Sequence, residues 1–167
     1  MYLKRGGRSK RKSTRKSKRK TTRKFPKQYL ERLSPKDKRK QLRSLRKLKS
    51  AYKQGKYLNR PKLKSYKNKE SGWTAKFHKL YPEAKSIKQV SRAVKIPEKA
   101  LREIIKKGRG AYYSSGSRPN QTADSWGKAR MYAYILGSPT RRVDHHVTQA
   151  YKVKFIHKPN YYPYKPI

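Results

Sequence analysis

Positive charge limits this chain before any other property does. Fifty of its 167 residues are lysine or arginine and eight are aspartate or glutamate, a formal charge of +42 at pH 7. Charge of that size strains a compact state through self-repulsion. Whatever folds must therefore be small, and an anionic partner must neutralise the rest. Hydrophobic residues make up 32% of the chain, below the usual share of a globular domain. Fourteen tyrosines against three phenylalanines favour half-wet contact surfaces over a deep core. The neutralising partner can be nucleic acid, a membrane surface or an acidic protein. There is no cysteine, hence no disulfide framework and no thiolate metal site, a pattern that fits a reducing compartment. No apolar run is long enough to span a bilayer. The first residues lack the apolar core of a signal peptide, which points away from secretion.

The charge divides the chain into four expected segments. Residues 1–24 carry +13 with no acid and too little apolar surface to offset the entropy of ordering. This basic arm is expected to lie along phosphates or another acidic surface through Lys4, Arg5, Arg8, Lys10, Arg11, Lys12, Arg15, Lys16, Lys18, Arg19 and Lys20. A solvated tail or a nuclear localisation signal has the same composition, but a localisation signal needs only a short basic cluster. Residues 25–70 carry +14 and are expected to hold an extended apolar hook at 25–33, one helix and a basic linker at 56–70. Ser34 at the N-cap, Pro35 in the first turn, Asp37 at N3 and Gly55 as the stop frame that helix. Its stripe of Leu42, Leu45, Leu48 and Tyr52 is thin enough for one docking partner.

Residues 71–151 are expected to form a small helical domain. Trp73, Phe77 and Leu80 share one face of a first helix that ends at Tyr81-Pro82. Ile87, Val90 and Val94 line a second. Leu101, Ile104 and Ile105 line a third, entered at Pro97 and stopped at Gly108. A fourth helix starts at Thr122 and runs to Gly137, with Trp126, Ala129, Ala133 and Leu136 inward, and a short fifth falls at about 141–151. Residues 152–167, with "YYPYKPI" at the end, read as an extended C-terminal arm rich in proline and tyrosine. Tyr161, Tyr162 and Tyr164 are its expected interface residues, since tyrosine supplies contact area at low entropic cost. The fold class is mainly α: a small helical domain with a long basic N-terminal arm and a Pro/Tyr-rich C-terminal arm.

Between 108 and 130 lysine nearly vanishes and the chain reads "GRGAYYSSGSRPNQTADSWGKAR". A phosphate loop is excluded, because no Gly-Lys-Ser/Thr follows the glycines and no strand precedes them. A nucleophilic serine would need a histidine and an orienting acid converging on it. Asp144, His145 and His146 are adjacent in sequence and cannot all do so. They also make a poor metal site, with no third ligand at a sensible spacing. No catalytic residue, metal or cofactor is expected. Packing explains the block better: Gly110 and Gly116 permit unusual backbone angles, and Arg118-Pro119 leads into a helix capped by Thr122 and anchored by Trp126. Arg118 and Arg130 then bond loop carbonyls or stack on tyrosines. The stretch "SIKQVSRAVKIPEKALREIIKKG" has helix-turn-helix rhythm, with Lys99, Arg102, Lys106 and Lys107 on its outer side. Lysines and glutamates stand there in place of base-reading amides, so an ordinary helical hairpin is the better reading.

The block "GAYYSSGSRPNQTADSWGKARMYAYILGS" followed by "RRVDHHV" resembles a domain of unknown function found in nucleocytoplasmic large DNA viruses of algae and amoebae. The resemblance runs from Phe25 onward and is most specific between Arg118 and Arg130. Looser relatives with an "SGxRPGxTxxxWGxAR"-like core are found in phages. Ser138 departs from the family pattern, which commonly has a second glycine after Gly137. The resemblance implies a virus-encoded protein carried in the particle, and no reaction. The expectation that follows is a non-enzymatic minor capsid protein, made in the host cytoplasm. It would sit on the inner face of an icosahedral shell and link capsomers through its basic arms. Its partners would be the major capsid protein and other minor capsid proteins, with viral DNA or an internal membrane also in reach. A DNA-condensing core protein and a ribosomal-type RNA-binding protein are the competing expectations.

Overall fold

The computed structural model describes residues 25–160. The arm at 1–24 and the tyrosines Tyr161, Tyr162 and Tyr164 lie outside the described residues. Within them the chain is mainly helical and has no strand. Seven α-helices follow a short 3-10 turn at Lys27–Tyr29: α1 Pro35–Lys53, α2 Gly72–Leu80, α3 Ile87–Val94, α4 Glu98–Ser115, α5 Ala123–Ile135, α6 Thr140–Val143 and α7 His145–Ala150. The 25–33 hook is thus not simply extended: the 3-10 turn folds Tyr29 inward, where it is buried.

Local chemistry sets most of the boundaries. The Ser34 hydroxyl accepts from the Asp37 amide at the start of α1, with Pro35 in the first turn. Ser86 and Gln89 close a capping box on α3, and Thr122 and Ser125 close one on α5, each satisfying amides that have no partner in the helix. Gly55 and Gly137 turn the chain after α1 and α5 with φ of +72° and +84°. The expected fifth helix is two, α6 and α7, separated at Asp144.

The third expected helix does not stop at Gly108. It continues through Gly110 to Ser115, because Gly108 serves a helix crossing and not a turn. A Cβ at Gly108 would lie 2.6 Å from the Gly127 Cα, and one at Gly127 would lie 2.8 Å from the Ile105 carbonyl oxygen. The paired glycines let the backbones of α4 and α5 approach more closely than side chains allow. Gly110 is helical as well, so of the two glycines expected to bend the loop only Gly116 has a positive φ, +86°. Gly108→Ala is expected to destabilise the fold by about 1–3 kcal/mol, as overpacking does, despite the roughly 1 kcal/mol that alanine gains in helix propensity. Gly72→Ala, with open space around its Cβ, is the control and should melt no lower than the parent chain.

The main core lies between α2, α3, the α4–α5 hairpin and α7. Phe77, Val90, Val94, Leu101, Ile104, Met131, Tyr134, Ile135 and Val147 are its buried members. Of the expected Trp126-Ala129-Ala133-Leu136 stripe on α5, Ala133 is buried and Leu136 packs against the core, while Trp126 and Ala129 border a surface cleft. Residues 131–135 are all buried, while Trp126, Ala129 and Leu136 are only half-buried. Leu80 also faces outward, 56% exposed, leaving Phe77 as the core residue of α2. On the other side of α4, α1 docks with Leu45, Leu48 and Ala51 buried. Leu42 and Tyr52 are half-buried, and the polar Asp37, Gln41 and Ser44 take places on the buried face.

After α7 the chain runs back over the end of α5. The Arg141 guanidinium donates to the carbonyls of Tyr134 at 2.8 Å, Ile135 at 2.6 Å and His157 at 2.9 Å, and lies 3.6 Å from the centre of the Phe155 ring. A cation there meets the negative end of the α5 dipole. The Asn160 amide donates to the Gly137 carbonyl at 2.9 Å. The Tyr81 hydroxyl and His157 Nε2 are 2.7 Å apart. Burial, and after it the Arg141 charge, pushes His157 below the ordinary histidine range. The unfolded strand therefore takes up its proton first, near pH 6.5. The contribution of His157 is full above that pH and is lost as pH falls through it towards the lower folded value. The amide of Asn160 is accordingly expected to exchange faster at pH 5 than at pH 7, after correction for intrinsic rates. His157→Gln should remove that difference.

Candidate functional site: a basic cleft with two tryptophans

The loop between α4 and α5 is fixed from outside by the preceding basic segment. Asn120, at φ +53°, accepts from the Leu63 amide at 2.8 Å and donates to the carbonyls of Leu63 at 3.0 Å and Tyr66 at 3.3 Å. Gln41 Nε2 donates to the carbonyls of Tyr29 at 3.2 Å and Ser117 at 3.3 Å. Arg60 donates to the Ser117 hydroxyl and, at 3.3 Å, to its carbonyl, and sits over the Tyr112 ring at 5.2 Å. The Tyr112 hydroxyl donates to the Gln121 carbonyl at 3.0 Å. Residues 56–70, expected as a linker, have no helix or strand, yet Leu63 is buried and Ser65 donates its hydroxyl and amide to Asp37 at 2.7 and 3.0 Å. Those two bonds hold the Asp37 carboxyl below the usual carboxylate range.

The clasp buries Gly116, Ser117 and Pro119 and leaves Arg118 exposed between them. Arg118 bonds no loop carbonyl; its guanidinium donates to the Gln28 side chain at 3.0 Å and borders a cleft of about 440 Å3. Trp126 and Arg130 of α5, Trp73 and Lys76 of α2, Lys69 and Gln121 also line it. The chain has two tryptophans, and both stand on this cleft. No aspartate or glutamate is among its lining residues. Trp126 is steadied by an edge contact with Tyr29, ring centres 6.1 Å apart. The Lys76 ammonium lies 5.4 Å from the Trp73 ring centre.

Arg130 is held from behind. Its guanidinium donates to both carboxylate oxygens of Asp144, at 2.9 and 2.8 Å, and Asp144 is 1% exposed. Arg130 therefore bonds a buried carboxylate where loop carbonyls or tyrosines were expected. Thr122 caps α5 and is not among the cleft's lining residues, and Gly110 lies in α4 near the Tyr52 hydroxyl. The structure thus brings Arg118, Trp126 and Arg130 together on the cleft, and buries Pro119 in the loop. Lys99, Arg102 and Lys106 are exposed along α4, with Arg102 donating to Glu98 at 2.9 Å; none of them lines the cleft. No group of three or more histidine, aspartate or glutamate side chains able to hold a metal occurs among the described residues.

The sequence reading gives Trp73, Lys76 and Lys69 no place in a site. Trp73 does pack against the core, as its helix face predicts, and is half-buried, so that it also lines the cleft. The available signal was that a chain with so few large apolar residues keeps two tryptophans, each within four positions of a lysine or arginine.

A protein-family model described as "Family of unknown function (DUF5824)" matches residues 26–150. The chain belongs to this family. The matched stretch begins ahead of the 3-10 turn and ends with α7, so it takes in the clasp and every residue that lines the cleft. No curated protein and no solved structure matches the chain.

Proposed function

We propose that this protein is a structural component of a large DNA virus particle: a minor capsid protein on the inner face of the icosahedral shell, which links capsomers through its basic arms. The observation that carries the reading is the shortage of internal acid, eight carboxylates against fifty lysines and arginines. All eight acids lie within residues 25–160, and the best placed are already engaged: Glu98 with Arg102, Asp124 with Arg109, Asp144 with Arg130 and Asp37 with Ser65. The remaining cations need carboxylates or phosphates from outside. A braced helical body of this size, with +13 on its first 24 residues, suits a connector that meets several neighbours. The viral assignment rests on the resemblance of the Arg118–Arg130 block. No enzymatic role is proposed.

Binding to DNA in vitro does not decide the matter, because any chain this basic attaches to phosphates non-specifically. Location in the particle decides it. Particles opened gently and fractionated should keep the protein with the shell. A zero-length carbodiimide cross-linker should join lysines of residues 1–24 to carboxylates of capsid proteins. Recovery with the genome, on shells stripped of the protein, would overturn the reading in favour of a DNA-condensing core protein.

A further inference from the structure

We propose that the two-tryptophan cleft binds one nucleotide unit of single-stranded nucleic acid, with the base stacked on an indole and the phosphate on Arg118. The proposal goes beyond the capsid reading and does not depend on it.

Three properties of the cleft point to that ligand. First, the half-buried indoles of Trp73 and Trp126 are π-surfaces kept partly open to solvent, and Ala129 and Ala133, one turn apart on α5, leave the wall beside Trp126 free of bulk. Stacking on such a ring accepts any base, because every base has a π-face. Second, the charge around the rings is of one sign: Arg118, Lys69 and Lys76 border the cleft with no acid among the lining residues. Third, Arg118 is presented rather than free to wander. Ser117 and Asn120 on either side of it are bonded to Gln41, Arg60, Leu63 and Tyr66, so its backbone is fixed at the cleft edge, and its guanidinium donates to the Gln28 side chain at 3.0 Å, which lowers the ordering cost of binding.

A nucleotide unit satisfies these features together. It joins a flat ring to a phosphate in one residue, and a cleft of about 440 Å3 falls within the range of pockets that enclose a single small ligand. A duplex keeps its base faces stacked inside and offers only edges and phosphates. A glutamate or aspartate side chain would meet the cations and leave the indoles uncovered. A lipid headgroup has phosphate and no flat aromatic ring to stack on an indole.

Tryptophan emission reads the cleft directly, since both tryptophans stand on it and the basic arm at 1–24 has none. The full chain is titrated above about 0.2 M salt, where purely electrostatic attachment weakens. The probes are an oligothymidylate, an abasic sugar-phosphate strand of equal length, a duplex of equal charge and a glutamate-tyrosine peptide. Oligothymidylate should quench the emission saturably, and the abasic strand and duplex should bind with little change. Arg118→Ala and Trp126→Leu should each weaken the quench-reporting association about tenfold, the effect of one lost stacking or phosphate contact. Lys88→Ala on α3, away from the cleft, should leave it unaltered. Circular dichroism establishes that each variant is folded. Equal quenching by the abasic strand, no quenching by oligothymidylate, or quenching indifferent to Arg118→Ala would overturn the proposal. Quenching by the peptide alone would overturn it in favour of a protein segment.

Discussion

Phe77→Ala is expected to destabilise the helical body by about 3–5 kcal/mol, the cost of emptying a fully buried aromatic site. Phe77 is 0% exposed. Its ring stacks on Tyr132 with centres 4.3 Å apart and packs against Tyr81 at 5.0 Å. Removing it takes from α2 the one buried side chain that pins it to α5. Trp126→Ala should cost much less, no more than about 2 kcal/mol, because the indole is half-buried and borders open space. The larger residue with the smaller cost is a stringent contrast, since side-chain size alone predicts the reverse. Urea denaturation of the two variants beside the parent chain measures it. A Trp126→Ala variant as unstable as Phe77→Ala would make the indole a core residue and remove it from the cleft.

What was legible in the sequence follows from how local each cause is. Ser34 and Asp37 are three residues apart, as are Thr122 and Ser125. Each cap forms inside one turn, so its helix start could be placed from the letters alone. Gly108 was misread for the complementary reason. Glycine commonly marks a helix end by its own conformational preference. Here Gly108 sits inside α4 because Gly127, nineteen positions later, needs the room. No local pattern carries that information. The clasp is further from view: Asn120 meets Leu63, and Arg60 meets Ser117, each across 57 residues. The 56–70 stretch has no periodicity because its contacts are made by single side chains and exposed backbone rather than by a helix face.

The partly misplaced face of α5 has a different origin. An amphipathic helix announces its inner side by spacing, but residues 131–135 are buried all round the helix, between α4, α2 and the chain that returns beneath Arg141. Any stripe drawn on such a helix fits about as well as another. Tryptophan is large and apolar, which favours an inward place for Trp126, whereas in the fold it is half-buried and lines the cleft. Composition separates the block between 108 and 130 from the basic background. It does not separate the block's two roles: Ser117 and Asn120 serve the clasp, and Arg118 and Trp126 face the cleft.

The pair of Arg130 and Asp144 joins those roles, and its disruption should be the second large effect. Asp144→Asn leaves a guanidinium that is 23% exposed facing a neutral amide, where it had two charge-assisted bonds to one carboxylate. Breaking a buried pair on one side typically costs about 3–5 kcal/mol, because the remaining charge stays desolvated without compensation. Replacing both members by apolar groups of similar size, Arg130→Met with Asp144→Leu, should recover most of that loss, since the desolvation cost of both ions disappears together. Thermal denaturation of the two single variants and the double variant gives the coupling between them. The cleft should respond in a different order. The double variant, restored in stability, still lacks the guanidinium on the cleft wall. Tryptophan emission should shift in both Arg130→Met and the double variant, whatever their melting temperatures. Stability that follows the pair, with emission that follows Arg130 alone, would separate the brace from the surface it supports. Additive losses in stability would instead mean that Asp144 and Arg130 are each held by other neighbours, and that the 108–130 block stands without the ion pair behind it.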